Sequence, residues 1–222
     1  MKLRRGAAKV GINIGKSKDT PIERAAEDYV ELFKQVYRDA DYVAINISSP
    51  NTLNLRQLQA REYLEGLLKA VTAGRDKVSH PERSATATKD AKRVPVLVKI
   101  APDLTERELE DVLGAIELAE ADGIIATNTT IEREGIPPQY RDLKGGLSGQ
   151  PLRDRSTAMV SCIYRMTNGK LPIVGVGGVM NPLDALAKLE AGATLVQVYS
   201  GLVYAGPGLV KQINRALLER EV

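Results

Sequence analysis

The feature that most constrains this chain is its regular alternation of short apolar runs with longer amphipathic segments. The runs are rich in Val and Ile and predict strands, and the segments between them carry apolar residues at helical spacing. Strict alternation favours a parallel sheet whose strands are joined by right-handed crossover helices. The predicted strands are 9–14, 42–47, 94–100, 123–126, 172–176 and 194–199. The predicted helices are one that carries Tyr29 and Phe33, then 60–73, 106–121, 153–167, 182–191 and 207–221.

Two architectures fit this alternation, an open doubly wound sheet and a (βα)8 barrel. A complete barrel needs eight strands, whereas the pattern predicts six. On strand count alone the chain is therefore either an open sheet or a barrel lacking two units. The pattern leaves both open.

Composition excludes several classes of function. The 31 basic and 28 acidic residues are spread along all 222 positions and leave a net charge of +3, so we expect no nucleic-acid partner. One Cys and one His exclude a disulfide framework and a metal site built from those residues. No apolar run reaches the length of a membrane span, and the chain by itself is predicted to be soluble. We predict a single domain over 1–222, with the polar segment 80–93 as a surface loop insertion.

A run of polar side chains follows the second predicted strand. The segment 46–52 reads Asn-Ile-Ser-Ser-Pro-Asn-Thr, and Pro50 disfavours helical backbone at Ser49. Barrel enzymes place catalytic groups in loops of this kind, at the carboxyl ends of strands. The alternative is that Ser49 and Asn51 only form a turn, for which both residue types are well suited.

Other predicted strands end in the same way. Lys99 closes the third strand, where it is either an ordinary lysine in solvent or, as its buried run favours, a cation that stabilises negative charge on a bound ring. Glycine and serine end the fifth and sixth strands, at 175–178 and 199–201. Barrel enzymes commonly bind phosphate at these two places, although either motif alone could be a turn. Amide and hydroxyl groups without carboxylates or His suit a flat heterocycle rather than a metal.

These residues resemble one known family, the flavin-dependent dihydroorotate dehydrogenases. The resemblance covers nearly the whole chain in six ordered motifs, which are 46–52, 98–104, 126–130, 145–152, 175–178 and 199–201. Serine at position 49 is similar to the membrane-associated, quinone-reducing class 2 branch, since class 1 carries cysteine there.

The resemblance implies an FMN-dependent (βα)8 TIM barrel with about six of its eight units in this chain. It implies oxidation of (S)-dihydroorotate to orotate in pyrimidine biosynthesis, with a quinone as final acceptor. Ser49 would be the catalytic base that takes the C5 proton, while the C6 hydrogen passes to FMN. The implied substrate-binding residues are Asn46, Asn51, Asn128 and Thr129. The implied FMN-binding residues are Asn13, Asn46, Lys99, Thr127, Gly149, Gly178, Tyr199 and Ser200, and no metal is implied.

Family members carry further sequence before the segment that corresponds to 10–16. It includes the first two barrel units and, in class 2, a helical extension that forms the quinone tunnel. Through that extension a complete bacterial member would lie peripherally on the cytoplasmic face of the inner membrane. Two alternatives are a non-catalytic truncated remnant and another FMN-dependent or phosphosugar barrel enzyme; the Asn-rich sequence around Ser49 argues against the latter.

Overall fold

The computed structural model of the chain describes residues 8–52, 54–79 and 93–220. In this part of the chain strands and helices alternate as predicted. The strands are β1 (Gly11–Ile14), β2 (Tyr42–Asn46), β3 (Val96–Ile100), β4 (Gly123–Ala126), β5 (Ile173–Val176) and β6 (Leu195–Gln197). The helices are α1 (Ala25–Val36), α2 (Arg61–Ser79), α3 (Glu106–Leu118), α4 (Arg153–Met166), α5 (Pro182–Glu190), α6 (Ser200–Ala205) and α7 (Gly208–Leu218).

The strand order decides between the two predicted architectures. The sheet runs β1-β2-β3-β4-β5-β6, and the pairs β1–β2, β2–β3, β4–β5 and β5–β6 are parallel. A doubly wound sheet reverses its strand order at a switch point, whereas here each strand lies beside the next one along the chain. The fold is therefore a partial (βα)8 barrel with six of the eight βα units, as predicted.

The described residues divide into two compact units, and the first contains 8–47, 52, 54–79, 93–99 and 106–123. In it α1 packs against α2 and α2 against α3. Tyr29 and Phe33 of α1 are buried, in agreement with the predicted apolar face. The buried Arg75 is paired, because its guanidinium lies 2.9 Å from Asp122 Oδ2 and also donates to the carbonyl of Glu120 at 3.3 Å.

The second unit contains the described residues 48–51, 100–105 and 124–220. Its apolar core includes Val179, Ala185, Leu209 and Ile213, which bring the loop after β5 together with α5 and α7. A reciprocal capping box between Asn181 and Asp184 begins α5. The fixed start of α5 orients the loop that precedes it.

The carboxyl end of the second unit differs from the prediction. The predicted strand 194–199 is shortened to β6, which ends at Gln197, because Tyr199 is already the N-cap residue of α6. The pattern does not predict α6, a helix of only 6 residues that Gly206 (φ 68°) and Pro207 separate from α7. Apart from Arg93, the predicted insertion 80–93 lies outside the described residues. The single-domain assignment stays a prediction.

Candidate functional site

In the first unit the predicted flavin-contacting residues share one face of the sheet. Asn46 and Lys99 are register partners on β2 and β3, and Asn13 is the partner of Ala44, two residues before Asn46. Because side chains alternate along a strand and partners point the same way, Asn13, Asn46 and Lys99 project from the same face. The opposite face holds Val43, Ile45, Val96 and Val98, which are all fully buried.

Lys99 is not an ordinary solvent lysine. Its side chain is half-buried, and burial lowers the pKa of its ammonium group below the usual value for lysine. A partly desolvated cation interacts more strongly with negative charge than a hydrated one does. Beside it, the backbone carbonyl of Asn46 accepts a 2.7 Å hydrogen bond from the buried Tyr29 hydroxyl. This bond ties the end of β2 to α1.

In the second unit, residues 48–51 form the predicted exit turn after β2. Ser48 is buried, Ser49 is half-buried and Asn51 is exposed. The Ser49 Oγ accepts a 3.3 Å hydrogen bond from the backbone N–H of Asn51. The local turn contact that the sequence allowed is thus present, and the Ser49 side chain is still partly accessible.

The loop after β4 presents Asn128 and Thr129 in a defined orientation. The backbone N–H of Asn128 donates to the Ile100 carbonyl at 2.8 Å. Its carboxamide Nδ2 donates to Ser48 Oγ at 3.0 Å, and its Oδ1 accepts the backbone N–H of Thr129 at 2.8 Å. Both ends of the carboxamide therefore have partners, which sets its orientation. Thr127 is buried and donates from Oγ1 to the Asn128 carbonyl at 2.9 Å.

Asp103, for which the sequence predicted no role, holds the far side of the same loop. One carboxylate oxygen accepts the Thr130 hydroxyl and the other accepts the Ile131 backbone N–H at 3.2 Å. Arg155 lies 3.6 Å from the first oxygen and donates to the Pro102 carbonyl at 3.2 Å. The sequence signal that could have pointed to Asp103 is a carboxylate that closely follows the polar end of β3. Its hydrogen bonds support the loop that carries Asn128 and Thr129.

The glycine loop 145–149 lies directly on these turns. A Cβ at Gly146 would stand 1.8 Å from Thr129 Oγ1 and 3.1 Å from Pro50 Cγ, so only glycine fits there. Leu147 exchanges backbone hydrogen bonds of 2.8 and 3.0 Å with Thr130. The loop after β2, the loop after β4 and the glycine loop are therefore brought together within this unit.

Gly149 of the glycine loop and the predicted FMN-binding residues at the ends of β5 and β6 form a second group. Gly149 (φ 77°) approaches Ser200, whose hydroxyl lies 2.8 Å from that of Ser148. Gly178 (φ 72°) lies so close to the first turn of α4 that a Cβ would come within 2.3 Å of Arg153 Cα. Tyr199 is 74% exposed and precedes α6. Together these residues offer hydroxyl groups and closely approachable backbone N–H groups to an anion.

Two features are absent from the described ranges 8–52, 54–79 and 93–220. These ranges contain no cluster of three or more His, Cys, Asp or Glu side chains able to hold a metal ion. Nor do they contain a helix long and apolar enough to cross a membrane.

Sequential pairing of parallel strands and polar side chains at their carboxyl ends define a protein of the βα-barrel class. The family model for dihydroorotate dehydrogenase matches residues 1–220. The chain therefore belongs to the dihydroorotate dehydrogenase family.

Individual relatives agree. The dihydroorotate dehydrogenase (quinone) of Shewanella frigidimarina is 46% identical over 208 residues, which are 93% of this chain and 59% of the relative. The dihydroorotate dehydrogenase (quinone) of Deinococcus radiodurans is 49% identical over 213 residues, 96% of this chain and 56% of the relative. The chain thus spans less than two thirds of the length of these curated relatives.

Solved structures show the same likeness. The crystal structure of DHODH from Eimeria tenella in complex with ferulenol has a TM-score of 0.85 and 41% identity, over 94% of this chain and 57% of that one. The ligand-free DHODH from the same organism gives a TM-score of 0.86 at 41% identity, over 97% and 61% of the two chains.

Proposed function

We propose that this chain supplies the proton-accepting and substrate-binding part of an FMN-dependent dihydroorotate dehydrogenase. The observation that carries the proposal is the 3.0 Å hydrogen bond between Asn128 and Ser48, which orients a carboxamide beside the loop of Ser49. Family membership supplies the reaction class, oxidation of (S)-dihydroorotate to orotate in pyrimidine biosynthesis.

The residues present fit FMN by their chemistry. Asn13, Asn46 and Lys99 offer amide groups and a cation from one sheet face, which suits the rim of an isoalloxazine ring. Thr127 lies at the end of β4 and would complete the ring contacts. The Ser148–Ser200 hydroxyl pair and the backbone at Gly149 and Gly178 suit a phosphate, with Tyr199 next to them. The chemistry supplied by bound FMN is acceptance of the hydride from C6 of the substrate.

Binding of the substrate is assigned to amide and hydroxyl side chains. Asn46, Asn51, Asn128 and Thr129 would hold the carboxylate and ring amides of dihydroorotate. An asparagine carboxamide offers a donor and an acceptor in one plane and so matches a cyclic amide. The bonds from Ser48 and from the Thr129 backbone hold the Asn128 carboxamide in place before substrate binds.

Ser49 is the proposed base, which accepts the C5 proton at its Oγ. A serine hydroxyl is too weakly acidic to exist as alkoxide at neutral pH, so as it takes up the C5 proton it must pass its own hydroxyl proton on to water. The Asn51 backbone N–H donates to Ser49 Oγ and leaves the hydroxyl hydrogen available for that transfer.

A quinone is the proposed final acceptor, because the relatives named above are the quinone type and position 49 is serine. Membrane association of the whole protein is proposed to depend on sequence outside this chain. We further propose that residues 1–222 act as one catalytic domain, with 80–93 as a surface insertion.

Flavin content and reduction test the proposal. The polypeptide that carries this chain should yield FMN on acid extraction, and anaerobic (S)-dihydroorotate should bleach its flavin absorbance. A protein that carries no flavin, or whose flavin dithionite bleaches and dihydroorotate does not, would refute it. The first outcome would instead support the alternative of a non-catalytic remnant.

A further inference from the structure

Lys188 of α5 is a fully buried cation outside the residues assigned above. None of its surface is exposed, and its ammonium group has three hydrogen-bond acceptors on α4. These are Ser156 Oγ at 2.5 Å, Thr157 Oγ1 at 2.8 Å and the Arg153 carbonyl at 3.4 Å. An ammonium group has three donors, so the site satisfies the charged form of lysine completely.

Ser156 connects Lys188 to the turn after β5. Its side chain is also fully buried, and its Oγ lies 2.9 Å from the Gly177 carbonyl and 3.3 Å from the Arg153 carbonyl. A hydroxyl has one hydrogen, which the shorter bond to Gly177 takes, while Lys188 donates to the lone pairs of the same oxygen. Lys188, Ser156 and Gly177 thus form a continuous chain of hydrogen bonds.

The turn at Gly177 and Gly178 depends on this support. Both residues have positive φ, at 117° and 72°, in regions that only glycine adopts easily. A Cβ at Gly177 would stand 2.9 Å from Ser156 Oγ, so the backbone rests directly on the serine. Removing the bond from Ser156 would leave the Gly177 carbonyl without this partner.

We propose that Lys188 is a positioning residue for phosphate recognition: through Ser156 it holds the Gly177–Gly178 turn in the conformation that binds the phosphate end of FMN. The inference rests on the proposed function for the identity of the phosphate. The ligand group that the turn would recognise is the phosphomonoester of the flavin and not its ring system.

The charge of Lys188 supports this role. The charged groups near it are Asp184 on its own helix and Asp154 and Arg153 on α4. Burial lowers the pKa of Lys188 to about 8, while the two carboxylates oppose the decrease. The amine is therefore mainly protonated at neutral pH, and its positive charge lies at the first turn of α4, against which Gly178 packs.

Comparison of FMN with riboflavin, which has no phosphate, tests the proposal. Lys188→Met keeps a side chain of similar length and removes the charge. We expect it to raise the Kd for FMN at least tenfold and to change the Kd for riboflavin by less than twofold. Lys211→Met, at an exposed position of α7, is the matched control and should change neither affinity.

A second variant checks the route. Ser156→Ala should produce the same selective loss, and the double variant Lys188→Met/Ser156→Ala should lose no more than the larger single effect. Equal loss of FMN and riboflavin affinity, no loss, or additive losses would each overturn the proposal.

Amide hydrogen exchange provides a readout that does not depend on flavin. In Lys188→Met the amides of residues 177–180 should exchange at least tenfold faster than in the parent protein, while those of α7 should not change. If the parent protein binds neither flavin, the proposed function fails by itself. Unchanged exchange at 177–180 would then still refute the positioning role.

Discussion

The Asn128 side chain donates a 3.0 Å hydrogen bond to Ser48 Oγ, although 80 residues separate the two positions along the chain. Ser48 is fully buried and directly precedes the proposed base Ser49. One bond thus links the orientation of a proposed substrate-binding amide to the turn that carries the proposed base. We therefore expect a change at Ser48 to affect both substrate binding by Asn128 and proton abstraction by Ser49.

Ser48→Ala should weaken substrate binding without removing flavin. Loss of the acceptor leaves the Asn128 amide without one partner, at a cost of about 1–2 kcal/mol or roughly tenfold in kcat/KM for dihydroorotate. Steady-state kinetics measures the change in kcat/KM, and the flavin content per protein shows whether flavin is retained. Ser161→Ala on α4 is the control, and a Ser48→Ala enzyme with unchanged kcat/KM would show that the bond is irrelevant to the substrate.

Ser49→Ala should retain flavin and dihydroorotate binding but slow flavin reduction by roughly 10²–10⁴, the usual contribution of a positioned proton acceptor. Anaerobic stopped-flow reduction in a single turnover isolates this step. Ser49→Cys is the informative companion, because a thiol can also accept the proton. A Ser49→Ala enzyme that is reduced at the parental rate would remove Ser49 from the mechanism.

Lys99→Ala should lose flavin or slow its reduction, because a cation beside the ring stabilises negative charge that develops there. Burial lowers the Lys99 pKa, so the proton is lost at a lower pH than from an ordinary lysine. The reduction rate of the parent enzyme should therefore fall as pH rises through that lowered pKa, and Lys99→Ala should lack this decrease. Normal flavin content together with normal reduction would exclude the assignment.

Lys188 should make stability depend on pH in the alkaline range. Its pKa falls from 10.5 in the unfolded chain to about 8 in the folded protein, where Asp184, Asp154 and Arg153 surround it. Between these values the unfolded chain binds more protons, so the free energy of unfolding should rise with pH, by at most about 3 kcal/mol. Urea unfolding at about pH 7.5 and about pH 10 measures this change in the free energy of unfolding. Lys188→Met should lack this increase, and equal slopes for both proteins would contradict the prediction.

The isolated 222-residue chain should self-associate and hold FMN weakly. In the described part, β6 pairs only with β5, and Leu195 on β6 is 62% exposed, as are Val203 (75%) and Tyr204 (81%) of α6. Unpaired strand edges and exposed apolar side chains favour association. Light scattering should show oligomers whose population falls in Leu195→Lys. Purification as a yellow monomer with normal dihydroorotate:quinone turnover would show the opposite.

Local sequence was sufficient for the strands and most helices. The Val- and Ile-rich runs around Val43, Val98 and Ile173 predicted β2, β3 and β5, because fully buried parallel strands need continuous apolar side chains. It was insufficient for α6, whose 6 residues are too few to show a helical period. It also left the architecture open, since the number of strands does not reveal the order in which they pair.

The sequence by itself determined which polar side chains follow each strand. It thereby determined the chemistry of the predicted site, which is rich in amide groups and has no metal-binding cluster among its predicted residues. Only the tertiary structure decided that Asn46 and Lys99 are register partners, that Ser48 is the acceptor for Asn128, and that Asp103 and Lys188 support the loops. These contacts join residues from different βα units. Their formation depends on strand register and helix packing, which short-range patterns of polarity do not encode.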